Sequence, residues 1–388
     1  MTEPTITIRA SFGTIPMAST PSWSTITPDC LDFYIKRGRQ HFLDRIESGE
    51  AIITVDNSDG NYWPDNNSGA YYPNILPRKR INIRATYGGS IYDIYTGFIE
   101  DFVPGWKLTG GKIPTMETRC ADLQKNLARF HPPQTYSQET SGTRVANILN
   151  DYGWPNVSLD GGQTTIKASG TISNAMDHFF DVQQTELGII FQAGDGVVHF
   201  QDRHHRLKNK IASMGTFGDD TGEFKYIEPK FNYGDDYLFN DVRITRSGGS
   251  EQVSTDASSS AEYGPSNLSR SGLLMLTDTE AKDQADYLKS RYKDPVLRVQ
   301  SLTIHPKRDP DNLYPQVLGR EISDRITLRL NEASVSSDYH IEGITHRYKA
   351  LTQDWQTTWQ LSDADSQQYW AIGETNFSEI GETTKVAY

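Results

Sequence analysis

The chain has 388 residues, 36% hydrophobic and 23% charged, with a formal net charge of −12. That length exceeds what a single growing core supports and predicts two to four domains; the mean hydropathy of −0.60, with no run near the roughly 18 apolar residues of a spanning helix, predicts no membrane span. The acidic balance argues against a groove that grips nucleic acid, because phosphate contacts need clustered Lys and Arg.

Residues 1–29, rich in Thr, Ser and Pro, read as an N-terminal arm. It lacks the basic start and apolar stretch of an export signal, so synthesis in a cytoplasm is expected. Its alternating run Thr5-Ile6-Thr7-Ile8-Arg9-Ala10 suits either a strand added elsewhere or a flexible leader. Residues 30–118 read as an all-β domain. Leu31, Phe33 and Ile35 alternate with polar residues, Lys36-Arg37-Gly38-Arg39 leads to a strand over 51–56, and a surface loop runs to Leu76. Gly88-Gly89 then reads as the turn of a hairpin.

Residues 119–205 read as a small α+β domain. A short helix carries Leu123 and Leu127, and a second from Ser141 places Val145, Ile148, Leu149 and Tyr152 at helical spacing before Gly153. A third is expected with Ser173 as N-cap and an end before Gly188, followed by a hairpin turning at Gly194-Asp195-Gly196. Residues 206–370 read as a second β domain. Within it the Ser-rich stretch 254–271 reads as a loop, and Thr277-Asp278-Thr279-Glu280 is a capping box heading a helix to about Tyr292. Strands are expected at 297–304, 325–330, 339–348 and 356–361, and residues 371–388 read as a flexible or docking tail. The fold class is therefore α+β, predominantly β.

As an ordered string, Arg37-Gly38-Arg39 on an early strand, the Asp56-Asn57 turn, Thr96-Gly97-Phe98, Gly142-Thr143-Arg144-Val145, Gly153-Trp154-Pro155, Thr185-Glu186-Leu187-Gly188 and Asp195-Gly196-Val197-Val198 resemble bacteriophage minor tail proteins of the tail-hub (baseplate-hub) family. Tyr237-Leu238-Phe239-Asn240-Asp241 and Tyr263-Gly264 continue the resemblance, which spans about residues 30–365. It implies a homotrimer in the tail tip of a virion, in which the first and last domains share a tail-tube-like β-barrel fold and flank the α+β domain. Three chains would then present six like domains around a channel. The implied partners are a distal tail or tail tube protein, a tape-measure protein, and tail fibre or receptor-binding proteins. Genomic DNA would pass through without specific binding, since three copies carry three times the single-chain charge of −12.

Catalytic, cofactor-binding and metal residues are expected to be none. There is no Gly-x-Ser-x-Gly, phosphate-cradling loop, dinucleotide fingerprint or His-Glu-x-x-His. Asp202-Arg203-His204-His205-Arg206 is unsuited to a cation because adjacent His diverge and Arg repels it. Asp56-Asn57-Ser58-Asp59-Gly60-Asn61 lacks the spacing and twelfth-position Glu of a calcium loop and reads as a turn. Cys30 and Cys120 read as reduced thiols, with a single bridge left open. Two alternatives remain. Tyr62, Trp63, Tyr71, Tyr72, Trp106, Trp355 and Trp359 could stack on sugars in a carbohydrate-binding host-recognition protein, although Trp355 and Trp359 could equally be core. A carboxylate pair of a glycan hydrolase cannot be recognised from sequence.

Overall fold

The computed structural model describes residues 3–108, 112–364, 368–370 and 384–386, so most of the expected 371–388 tail lies outside the described residues. The molecule is predominantly β. Thirteen strands join in one sheet, which among the described residues runs between open edges and does not close into a barrel. The N-terminal arm belongs to it: Thr5–Ser11 pairs antiparallel with Arg80–Tyr87, and its alternation puts Ile8 and Ala10 fully inside. The Gly88-Gly89 turn has φ of +57° and +81°, the doubly left-handed geometry of a two-residue hairpin, with Tyr87 opposite Ser90.

Within the sheet one arrangement of five strands occurs twice. In the first unit the strands are Cys30–Gly38, Glu47–Asp56, Arg80–Tyr87, Ser90–Leu108 and Lys112–Ala121. In the second they are Glu228–Asn232, Arg298–Ile304, Arg325–Leu330, Val335–Lys349 and Asp354–Asp363. Counted along the chain within each unit, both lie in the order third, fourth, fifth, second, first, and every neighbouring pair is antiparallel. The fourth strand is the long one each time. Its first half pairs with the third strand and its second half with the fifth, and it bulges at an Ile-Glu step, Ile99-Glu100 in one unit and Ile341-Glu342 in the other.

The units are fused edge to edge. Residues 343–349 of the second unit's long strand pair antiparallel with the first unit's Cys30–Gly38, Gly343 facing Gly38 and Lys349 facing Asp32. One hydrophobic core follows the sheet across this joint, taking Phe33, Ile35 and Ile53 from one unit and Leu302, Ile344, Trp355 and Trp359 from the other.

A second core gathers the helices between the units. Asp122 caps Leu123–Leu127, Thr140 caps Ser141–Tyr152, and Gly153 ends the latter at φ +81°. Ala175–Glu186 is capped by Asn174 rather than the expected Ser173, and it is Leu187, at φ +55°, that turns left-handed. Gly188 serves a different need: a Cβ there would lie 2.5 Å from the Gln201 carbonyl of the adjoining hairpin.

The Ser-rich stretch departs from its expected loop. Asp256 accepts from the Ser259 amide and starts the helix Ala257–Tyr263, and Asn267–Leu273 forms a strand parallel to Asp241–Arg246. With Ser259 the helix's buried residue, no apolar period marked it. Over this three-stranded sheet lies Asp278–Tyr292, headed by the Thr277–Glu280 capping box, with Ala281, Ala285, Leu288 and Tyr292 buried. The helix Pro310–Gly319 had no sequence reading, since Pro315 interrupts the pattern that would announce it.

Candidate functional site

One group of buried charged residues gathers at the fused edge. Gly38, at φ +91°, lets the first strand end against the second unit: a Cβ there would stand 2.2 Å from the Glu342 carbonyl oxygen. The flanking arginines diverge. Arg37 donates to Glu321 at 2.7 Å and to the Gln192 carbonyl at 3.3 Å, reaching the hairpin between the units. Arg39 donates to the fully buried Glu342 at 2.8 Å, and Arg206, from the short helix His205–Asn209, grips the same carboxylate from the other side and also donates to Ser323 at 3.0 Å. Burial alone would push the Glu342 carboxyl up. Arg206 and Arg39 outweigh it and hold the group far below the usual carboxylate range. Lys210 adds a 2.7 Å pair to Asp324. This is a structural lock between three parts of the chain, with every oxygen of Glu342 engaged by a guanidinium.

The other sequence candidates disperse. His205 Nδ1 lies 2.8 Å from Asp160, while its neighbour Arg206 turns to the lock. Among the described residues no three His, Cys, Asp or Glu side chains form a metal cage. Asp56 Oδ1 accepts from the Ser58 amide at 2.8 Å, and Asn57 Oδ1 from the Tyr62 amide at 3.0 Å, with Gly60 at φ +68°, so that loop is tied as a turn by its own side chains. Cys30 and Cys120 are buried and form no disulfide. They face Val55 and Ala51 on the strand between them, which puts them four residues apart along the strand, about 13 Å, too far for a bridge.

The aromatic residues divide by location. Trp355, Trp359 and Tyr62 are core, Tyr62 donating to Asp29 at 2.5 Å, which removes them as sugar platforms; Trp63, Tyr72 and Trp106 are exposed.

Within the two five-stranded units, two stretches of strand have a neighbour on one side only among the described residues. One is the first strand of the second unit, Glu228–Asn232, which pairs only with Arg298–Ile304 and exposes Phe231, next to the exposed Ile227 and Tyr233. The other is the second half of Ser90–Leu108, past Ile99, which pairs with Lys112–Ala121 on one side and exposes Trp106. Beside it opens a cleft lined by Arg78, Arg119, Lys125 and Arg129 and by Glu100, Asp101 and Asp122. Unpaired edges bearing exposed apolar residues invite strand addition.

No family model and no curated protein matches the sequence. Solved structures do match in fold. The tail protein from Neisseria meningitidis MC58 is similar at a TM-score of 0.60 and 11% identity, covering 93% of this chain and 97% of that one. The 43 kDa tail protein of prophage MuSo2 from Shewanella oneidensis is similar at 0.58 and 13%, with the same coverages of 93% and 97%. An Escherichia coli type VI secretion component, described as structurally similar to the T4 bacteriophage tail proteins gp27 and gp5, is similar at 0.51 and 9%, covering 87% of this chain and 74% of that one. The fold is thus one found in phage tail proteins, as the ordered motifs led one to expect.

Proposed function

We propose that this chain, having the phage-tail fold, is a structural tail-hub protein of a virion, without catalysis, and that three copies form a ring at the tail tip. The observation that carries this reading is the doubled unit. Two sheets of identical strand order and direction, fused edge to edge, are equivalent seats around an axis, so three chains supply six seats. Residues 30–118 and 206–370 are then two tube-like β domains with 119–205 between them. Such a ring offers a sixfold face to a tail tube or distal tail protein and a threefold face to fibres or receptor-binding proteins, and it surrounds a channel for the tape-measure protein and the DNA. The acidic chain leaves DNA no adhesive lining.

Native mass and class averages of the purified full chain test the proposal. A species of three times the chain mass with a central opening is expected. A monomer at all concentrations, or a closed twofold dimer, would overturn it.

A further inference from the structure

Beside the buried lock, three side chains line one small cavity with N–H groups that have no acceptor. The cavity, of about 20 Å³, lies where the turn after the first strand, the helix Ala175–Glu186 and the strand Asn267–Leu273 come together, and Arg39, Gln183 and Arg270 stand in its wall. Arg39 uses Nε on Glu342 at 2.8 Å and Nη1 on the Asp44 carbonyl at 3.4 Å, which leaves Nη2 buried without a partner. Gln183 accepts from the Ile190 amide through Oε1 at 2.8 Å. Its orientation is thereby fixed, and the buried atom left over, Nε2, is a donor. Arg270 lies opposite Ile244 in the strand ladder, and among the described residues its guanidinium makes no hydrogen bond or ion pair.

The charges around the cavity do not balance. Arg39 and Arg206 already share the one carboxylate of Glu342, and Arg270 adds a third guanidinium. Burial lowers Arg270 from 12.5 to about 10; Tyr292 opposes this and the neighbouring charge of Arg39 adds to it. The two other charged residues of the wall are engaged elsewhere. Asp44 accepts from the His41 backbone, and Arg45 pairs with Asp177 at 3.0 Å and lies over the Phe180 ring. Enclosed donors without an acceptor, one of them on an unpaired cation, are costly in a low dielectric.

We propose that this cavity binds one compact inorganic anion, of the size of chloride, between Arg39 Nη2, Gln183 Nε2 and the Arg270 guanidinium. A water fits the site less well: it accepts two hydrogen bonds where three groups donate, and it brings no charge to offset Arg270. A cation is repelled by the guanidiniums. The volume exceeds the roughly 10–15 Å³ that a water-sized occupant needs and is too small for a sugar or a nucleotide. The anion joins the first unit, the middle helix and the strand Asn267–Leu273 within one chain, so the site stands whether or not the ring reading holds.

The test uses the full chain and chloride alone. The chloride NMR line is expected to broaden saturably on adding the protein. The urea midpoint is expected to be higher in sodium chloride than in sodium gluconate of equal ionic strength, because gluconate is too large for the cavity and an anion bound only by the folded chain stabilises it. Gln183→Glu keeps the contact to Ile190 and supplies a negative charge of its own, while Arg270→Met removes the unpaired cation. Both are expected to lose the saturable broadening and the chloride dependence, and Arg347→Met, at an exposed arginine of the sheet, to keep them. Arg270→Met is expected to be more stable than the unsubstituted chain in gluconate and less stable in chloride. An unsubstituted chain without saturable broadening, or broadening that survives both Gln183→Glu and Arg270→Met, would overturn the site.

Discussion

The two five-stranded units have the same strand order and direction but are finished differently. In the first, strands one and two are joined by a short turn, and the link to strand three is a loop tied by its own Asp and Asn side chains. In the second, a whole subdomain of sheet and helix stands between strands one and two, and the helix Pro310–Gly319 replaces the loop. Hydrogen-bond order therefore survives large insertions, because a ladder constrains only the residues that face one another. The joint shows the opposite behaviour. There each side chain is specified, Gly38 by contact and Arg39 by a buried partner, whereas Gly234 and Asp235, just past the second unit's first strand, are exposed in the single chain. The first strand of one unit is thus paired on both sides and that of the other on one side only.

Substitution at the paired glutamates is the most severe way to break this contrast. Glu342→Gln leaves the buried Arg39 and the partly buried Arg206 against a neutral group, and chemical denaturation is expected to show a loss of about 3–5 kcal/mol. Glu100→Gln removes a half-exposed pair with Lys125 and is expected to shift the isolated chain by less than about 1 kcal/mol. Equal losses would mean that the two seats are not in different states.

The glycines sharpen it at lower amplitude. Gly38→Ala forces a Cβ at φ +91° onto the Glu342 carbonyl and is expected to destabilise by about 1–3 kcal/mol in the same assay. Gly234→Ala, whose Cβ meets nothing nearer than Asn232 Oδ1 at 3.1 Å, is expected to stay within about 0.5 kcal/mol.

Acid provides the mildest probe. Burial, and then the charge of Arg37, lowers His346 from 6.5 to about 3, so the unfolded chain takes up a proton that the folded one refuses. Stability from this group is complete above pH 6.5 and lost as pH falls towards 3. Glu342 acts in the same direction below about 4.5, its ordinary value. Asp122 opposes them: burial raises it to about 6, and its charged form weakens the fold as pH rises from 3.8 through that value. His346→Gln is expected to flatten the fall in denaturation midpoint between pH 6.5 and 5.5, a slope worth roughly 1.4 kcal/mol per pH unit for one proton. An unaltered slope would show that His346 titrates normally.

What the residues announced by themselves is local. The Gly88-Gly89 hairpin, the Thr277–Glu280 capping box, the Gly153 cap and the alternation of Thr5–Ser11 are each set by neighbours within a few positions, where propensity and period act directly. Even there, Ser173 and Asn174 compete for one cap, and the helix Ala257–Tyr263 passes as a loop because its residues are nearly all polar. The tail-hub resemblance was also legible, since the order of turns follows the order of elements. The doubled unit was not, because two ladders can coincide while their side chains differ. Nor was the zipping of Gly38 onto Gly343, which joins positions some three hundred residues apart through backbone groups that every residue carries alike. The tertiary structure alone decided which Glu is buried between two arginines, which is left at an edge, and which strands still lack a neighbour: burial and pairing follow from what the rest of the chain places alongside, and no local pattern encodes that.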